Sequence, residues 1–457
     1  MYKDLRAFIA RLDEQGELAR IRDCLSPRFE ISGMTRQLIR TRNLGLFFEN
    51  VEGYSTPVVT NLVGTKARLA TAFGVSEADL VAAYQDRVKN RIKPVIVADA
   101  PAKQVEILKD IDIVKTMPVL THHAKDVGPY FTSAITIAKD PDTGLRGMGI
   151  HRIEVKDEKT IAIFLATPPL SHFLTRSEAK GKPLEIAVVI GIDPVTFFAS
   201  VGWAPAGVDK LEIAGGLGGS PIEVVRCSTV DVEVPAQAEF VLEGKLIPGE
   251  RRPEGPFGES TGYYFSKRNP VAQITAVTHR DAPIYQGLVP FSGEDTVLLD
   301  VGWELKHLPE IQKTHPFVSK IHFSNMLLSA NVQIRKTSED DGRKIIEELW
   351  ANPFIKIVTV VDDDVDPYNS EDMNWAIATR VRPEKDIVIK EDMPGLPIDP
   401  STGEQGVSGE FSLITTKTSK LGIDATKPLE DLLRYKKIDV AEKVKCRIGP
   451  LIEKYIY

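Results

Sequence analysis

The sequence predicts a three-part α/β (α+β) chain on three observations: helix and strand periods alternate near the amino terminus, strand signals dominate from about 130 to 300, and alternation returns after Gly302. In the first part, residues 1–118, Leu5, Phe8, Ile9 and Leu12 recur at helical spacing and predict an amphipathic opening helix. Apolar runs at 45–48 and 58–61, a helical pattern over 76–90 and a strand at 94–97 complete an N-terminal α/β domain. In the second part, residues 119–302, strands are expected at 135–137, 150–155, 160–165, 186–190, 222–226, 238–242 and 272–278, with one helix at 171–181. Turn chemistry such as Asp140-Pro141-Asp142-Thr143-Gly144 punctuates them, so this part reads as mostly antiparallel and barrel-like. The third part, residues 303–457, reads as a second α/β layer: a helix near 340–350, an apolar strand at 355–361, a helix near 371–378 and a final helix near 427–435.

With 457 residues the chain exceeds what one core organises, which agrees with several domains. An apolar content of 42% and a charged content of 26% are those of a globular protein. The net charge of −7 gives no electrostatic case for nucleic acid or an anionic membrane surface. Met1-Tyr2-Lys3-Asp4-Leu5-Arg6 carries charges where a signal peptide needs apolar residues, and no run reaches the roughly eighteen apolar residues of a membrane span. A cytoplasmic chain is expected. Cys24, Cys227 and Cys446 form no CxxC, so they are read as buried or incidental, without a disulfide framework or a cysteine zinc site. The histidines include adjacent His122 and His123 but no HExxH, which removes a zincin reading.

The segment with most chemistry is Arg251-Arg252-Pro253-Glu254-Gly255-Pro256-Phe257-Gly258-Glu259-Ser260-Thr261-Gly262-Tyr263-Tyr264. It reads as a loop that proline stiffens and glycine bends, able to hold Glu254 and Glu259 in fixed relation. Two close carboxyls, one poorly solvated, titrate apart and supply an acid and a base. The alternative is an acidic turn whose glutamates face water. Two further motifs invite other enzyme classes. Gly215-Gly216-Leu217-Gly218-Gly219 lacks both GxGxxG spacing and a P-loop ending, and Asp362-Asp363-Asp364 lacks the phosphate cradle that a magnesium phosphotransferase needs.

Together these pieces resemble the UbiD-type decarboxylases, which use prenylated FMN to act on aromatic and α,β-unsaturated acids. The resemblance runs nearly end to end. It is carried by Lys139 to Arg146, Ile150-His151-Arg152, Pro235 to Gly244, the Glu254-to-Tyr264 loop and Val360 to Pro367. It implies a central flavin-binding split β-barrel, a C-terminal oligomerisation domain ending in a helix, and reversible non-oxidative decarboxylation. By the same resemblance, Arg152, Glu254 and Glu259 are the catalytic trio: Arg152 orients a substrate acid or keeps Glu254 ionised, and Glu259 donates the proton that replaces carbon dioxide. Ile150, His151, Arg152, Ser200, Gly202 and Lys210 are the expected cofactor-binding residues. The implied partners are a small carboxylic acid, carbon dioxide, a flavin prenyltransferase as cofactor supplier, and further copies of the chain in a dimer or hexamer.

The sequence departs from the family at the divalent metal, often manganese with potassium nearby, that holds the flavin phosphate. The asparagine position is Gly147, the glutamate position is Lys210, and the expected histidine is displaced to His172. No metal is therefore expected, and Lys210 is read as a substitute, because an ammonium neutralises a phosphate directly. The alternative slips the alignment by two and makes Glu212 the ligand. The lost ligands also leave open a flavin-free subunit or scaffold of a multi-subunit carboxylase.

Overall fold

The computed structural model describes residues 2–202, 204–402, 416–438 and 440–456. The chain divides into two compact units: 1–309 with 323–329 and 392–418, and 310–322 with 330–391 and 419–457.

The first unit opens on the expected helix, Leu5–Glu14, capped by the Asp4 carboxylate and burying Leu5, Phe8, Ile9 and Leu12. A four-stranded sheet follows, in the order Leu18–Leu25, Gly45–Val51, Val58–Thr60 and Tyr285–Gln286. The centre of the unit is a nine-stranded sheet that curls as a half-barrel. Its path runs Tyr130–Phe131, Ile153–Val155, Thr160–Ile163, Tyr264–His279, Phe240–Gly258, Leu184–Ile190, Ile135–Lys139 and Arg146–Ile150, with Val105–Ile107 beside Tyr264–His279. Its paired neighbours are antiparallel, as the sequence predicts.

Two expectations change here. The acidic segment is not a loop: Glu254 lies inside the strand Phe240–Gly258, which pairs with Tyr264–His279 as one long hairpin, and Glu259 begins its turn. Prolines at 253 and 256 suggest a break, yet the strand continues through a register shift between Glu254 and Phe257, where Gly255 takes φ 92°. The strand expected over 150–155 is instead two strands, Arg146–Ile150 and Ile153–Val155, parted at His151 and Arg152.

Two helices that the periodicity does not announce, Pro194–Val201 and Lys210–Gly218, pack on one another in this unit. The glycine cluster belongs to the second. A Cβ at Gly216 would collide with the Asn90 carbonyl oxygen, so these glycines serve close backbone approach.

In the second unit, the strand Ile357–Asp362 runs parallel to Thr416–Ala425, from Ile357 opposite Leu421 to Val361 opposite Ala425. Helices Asp341–Leu349 and Ser370–Arg380 stand where the sequence predicts them. The acidic run is bound internally: Arg380 pairs with Asp362 and Asp364 at 2.9 Å, and Lys427 pairs with Asp364 at 3.2 Å. The final helix is displaced. Residues 427–435 hold only a short 3-10 turn, Leu429–Asp431, and the terminal helix is Glu442–Ile456. Cys24 and Cys446 are exposed rather than buried, and Cys227 is half-buried.

Candidate active site

Arg152, Glu254 and Glu259 meet in one buried cluster, with exposures of 8%, 1% and 9%. Arg152 Nη2 donates to Glu254 Oε2 at 2.6 Å, and Nη1 donates to Glu259 Oε1. The backbone explains the convergence. Arg152 sits in the gap between two strands, with its carbonyl accepting from Phe164 N at 3.1 Å. The register shift after Glu254 re-aims the hairpin just before Glu259. The turn itself is closed by Glu259 N donating to Tyr263 O and Gly262 N donating to Glu259 O, both at 2.8 Å.

Sequence reasoning missed the rest of this cluster. Asn269 Nδ2 donates to the same Glu254 oxygen at 2.8 Å. The guanidinium carbon lies 4.4, 5.0 and 5.4 Å from the ring centres of Phe164, Phe257 and Phe265. Such faces favour a cation and exclude water. A signal for two of these partners lies in the hairpin register: Glu254 faces Lys267, so Phe265 and Asn269, two residues to either side, share its face of the sheet.

Burial pushes the Glu254 carboxyl above its ordinary value and outweighs the opposing charge of Arg152. Arg152 pulls in the other direction, towards the ionised form. Arg152 itself has its pKa raised, the pull of Glu259 and Glu254 overcoming its own desolvation. Tyr130, whose hydroxyl donates to Glu154 at 3.2 Å, is pushed up by burial and stays neutral.

Of the residues expected to bind a cofactor, Ile150 and His151 directly precede Arg152, and Lys210 lies near enough to His151 to act on it by charge. Ile150 ends the strand Arg146–Ile150 opposite Ile135. His151 is buried, and its pKa is pushed down to about 4 by desolvation and by the charge of Lys210. Ser200 spends its hydroxyl on Phe197 O at 2.7 Å, while its carbonyl accepts from Lys210 Nζ at 2.8 Å. Gly202 caps that helix. Lys210 begins the next helix with 9% exposure, and burial pushes its pKa down to about 8. The adjacent Asp209 is taken by Arg146 at 2.9 Å, and Lys210 forms no ion pair with a carboxylate among the described residues.

A buried ammonium with one carbonyl acceptor and donors to spare suits an anionic group such as a flavin phosphate. The metal ligands fit less well: a Cβ at Gly147 would stand 2.7 Å from both Phe173 and Pro169, so a larger residue there meets a filled space. Among the described residues, no group of three histidine, cysteine, aspartate or glutamate side chains is placed to hold an ion. No helix among them is long and apolar enough to cross a membrane.

Comparison with known proteins gives the family to which this half-barrel, with its buried arginine between two glutamates, belongs. The chain matches the family model of the 3-octaprenyl-4-hydroxybenzoate carboxy-lyase Rift-related domain over 93–293, of its C-terminal domain over 297–425 and of its N-terminal domain over 9–88. It belongs to the UbiD family. It is 33% identical to a phenolic acid decarboxylase of Sedimentibacter hydroxybenzoicus, covering 94% of this chain and 92% of that one. It is 31% identical to an anhydromevalonate phosphate decarboxylase of Methanothermobacter thermautotrophicus, covering 96% and 100%. Among solved structures it resembles the UbiD-class enzyme HmfF from Pelotomaculum thermopropionicum in complex with FMN, with TM-score 0.89, 37% identity and coverage of 96% and 97%. An evolved dimeric form of that enzyme in complex with prFMN gives TM-score 0.85 at 36% identity and the same coverage.

Proposed function

We propose that this chain catalyses reversible non-oxidative decarboxylation of an aromatic or α,β-unsaturated carboxylic acid with prenylated FMN. The observation that carries the reading is the buried Arg152 held between Glu254 and Glu259. Ile150, His151, Arg152, Ser200, Gly202 and Lys210 are the residues that would hold the cofactor, with Lys210 facing its phosphate in place of a divalent metal. When bound, the flavin supplies the electron sink that side chains lack. Arg152 stays charged throughout and orients the substrate carboxylate with the N–H groups that its two glutamate bonds leave over, Nε–H among them. Glu254, anchored by Asn269, stores a proton in the dry pair, and Glu259, at the turn, places a proton on the carbon that carbon dioxide leaves. Reversal asks Glu259 to take that proton back.

The relatives named for phenolic acid and for anhydromevalonate phosphate support a small carboxylic acid as substrate. We further propose a cytoplasmic homo-oligomer that receives its cofactor from a flavin prenyltransferase, and functional divisions at 1–118, 119–302 and 303–457. Co-expression with such a prenyltransferase tests the reading. A coloured protein releasing carbon dioxide from members of an unsaturated-acid panel is expected; a colourless product without flavin absorbance would sink it in favour of a flavin-free subunit.

A further inference from the structure

A cavity of about 600 Å³ lies outside the cluster described above, between the helix Glu30–Thr41 and the turn of the long hairpin. Gly33, Arg36, Gln37 and Arg40 line it from one stripe of that helix, as their spacing of three, four and seven residues requires. Ile31, Ser32 and Thr35 bury the opposite face. Gly33 has nothing within 4 Å of where a Cβ would stand, so the space in front of the stripe is open. His122, His123, Phe29 and Tyr264 form the other walls.

The arginine and lysine charges on this cavity, from Arg36 and Arg40, and beside it, from Arg28 and Lys125, meet no carboxylate among the described residues. Arginines elsewhere do, such as Arg20 with Asp13 at 2.7 Å and Arg251 with Glu178 at 2.8 Å. Instead three of them lie over rings: Arg28 over Phe29 at 5.1 Å, Arg36 over Phe291 at 5.5 Å and Lys125 over Tyr264 at 5.7 Å. In a chain of net charge −7, such a cluster is not explained by a general basic surface. Phe29 holds a φ of 72°, a left-handed conformation that a bulky side chain adopts at a cost. His122 is fixed by Ser32 at 2.8 Å and kept neutral by burial, its pKa pushed down to about 3. The Asp126 carboxylate, close to the two histidines, is spent on the backbone N–H groups of His122 and His123 at 3.2 and 2.8 Å and of Gly258 at 2.8 Å.

We propose that this cavity is a second binding site, for a small molecule bearing a phosphomonoester, whose anion is held by Arg36 and Arg40 and whose apolar body lies against Phe29 and Tyr264. The volume is that of a small-molecule site. The arginines select a phosphate over a carboxylate because they stand one helical turn apart, presenting two separate forks. A phosphomonoester dianion brings a charge for each guanidinium and three oxygens to share between them, whereas a carboxylate brings a single charge.

The site also touches the hairpin that carries Glu259. Gly258 leaves room for the His123 ring, whose Nδ1 would collide with a Cβ there, and Tyr264 begins the return strand. An occupant bridging Arg36, Arg40 and Tyr264 therefore orders the turn between residues 258 and 264.

Binding here is independent of the decarboxylase reading, because it is measured directly and without flavin. Phenyl phosphate, with inorganic phosphate and benzoate as comparisons, is titrated calorimetrically into the full chain. Saturable binding of phenyl phosphate is expected, stronger than of benzoate. The Arg36→Gln/Arg40→Gln pair should weaken it by at least about tenfold while leaving the thermal melt unchanged. Hydrogen exchange should slow over 258–264 on binding. No saturable binding to the parent chain, or equal affinity in a folded double variant, would overturn the site. Two sources of the phosphate are separated by turnover: competition with the carboxylic acid assigns it to the substrate itself, and non-competitive behaviour assigns it to a separate effector.

Discussion

Arg152 and Glu254 are joined at 2.6 Å across 102 residues of sequence, and the bond leaves Arg152 free to hold Glu259 with its other terminal nitrogen. One cation thus serves two carboxylates in a pocket walled by phenylalanine rings. Such a pocket does not tolerate two bare negative charges. Burial raises the tendency of Glu254 to hold a proton there, which accords with the proton delivery proposed above.

Replacing Glu259, the proposed donor, tests this most directly. Glu259→Gln keeps the shape and a hydrogen bond to Arg152 but cannot give up an acidic proton. Turnover should fall by at least about a hundredfold while flavin absorbance per protein is unchanged. Near-normal activity would remove Glu259 from the mechanism.

Lys210→Met should separate stability from cofactor binding. The buried ammonium has its pKa lowered from 10.5 to about 8, so folding stability rises with pH through that window and carries the full penalty at pH 7. Removing the charge should stabilise the flavin-free chain by about 2 kcal/mol, the desolvation relieved less the lost bond to Ser200. Flavin affinity should drop at the same time. A variant that is destabilised and still binds flavin normally would show Lys210 to be a structural residue.

Glu294 gives a pH signature of the opposite sign. Fully buried, it accepts from the Asn61 and Val63 N–H groups at 2.7 and 3.1 Å, and its pKa is raised from 4.5 to about 7. The folded chain keeps this proton where the unfolded chain has lost it, so stability falls as pH rises from 4.5 to 7. Urea melts of Glu294→Gln should lack about 3 kcal/mol of that fall. A parallel profile in parent and variant would show that Glu294 titrates normally.

Gly147→Asn asks whether a metal ligand can be restored at that position. The incoming Cβ meets Phe173 and Pro169 at 2.7 Å, so the change should cost about 1–3 kcal/mol of stability and bring no stoichiometric manganese. Elemental analysis of the purified variant decides it. A stable protein carrying one manganese per chain would mean that the ligand set survives here.

Much of the fold is legible because burial leaves a period in the sequence. Leu5, Phe8, Ile9 and Leu12 announce the first helix, and the apolar run ending at Val361 announces a buried strand. Where local chemistry misleads, tertiary pairing overrides it. Pro253 and Pro256 read as a loop, but the partner strand reaching from Tyr264 to His279 carries the chain through as sheet. The expected terminal helix falls too early in the chain because residues 427–435 have helical spacing without a partner face to bury it.

Residue order alone shows which side chains carry charge near the site: Arg152, the two glutamates, Lys210, and a glycine in place of a larger ligand. Their protonation is set by packing, which no local pattern records. Whether a carboxyl keeps its proton depends on the water removed from around it. That removal comes from Phe164, Phe257 and Phe265 closing over Arg152, and from two helices closing over Lys210. The Arg36 and Arg40 stripe follows the same division: its spacing is written in the helix, but the His122, His123 and Tyr264 walls of the cavity before it are brought there by the tertiary fold.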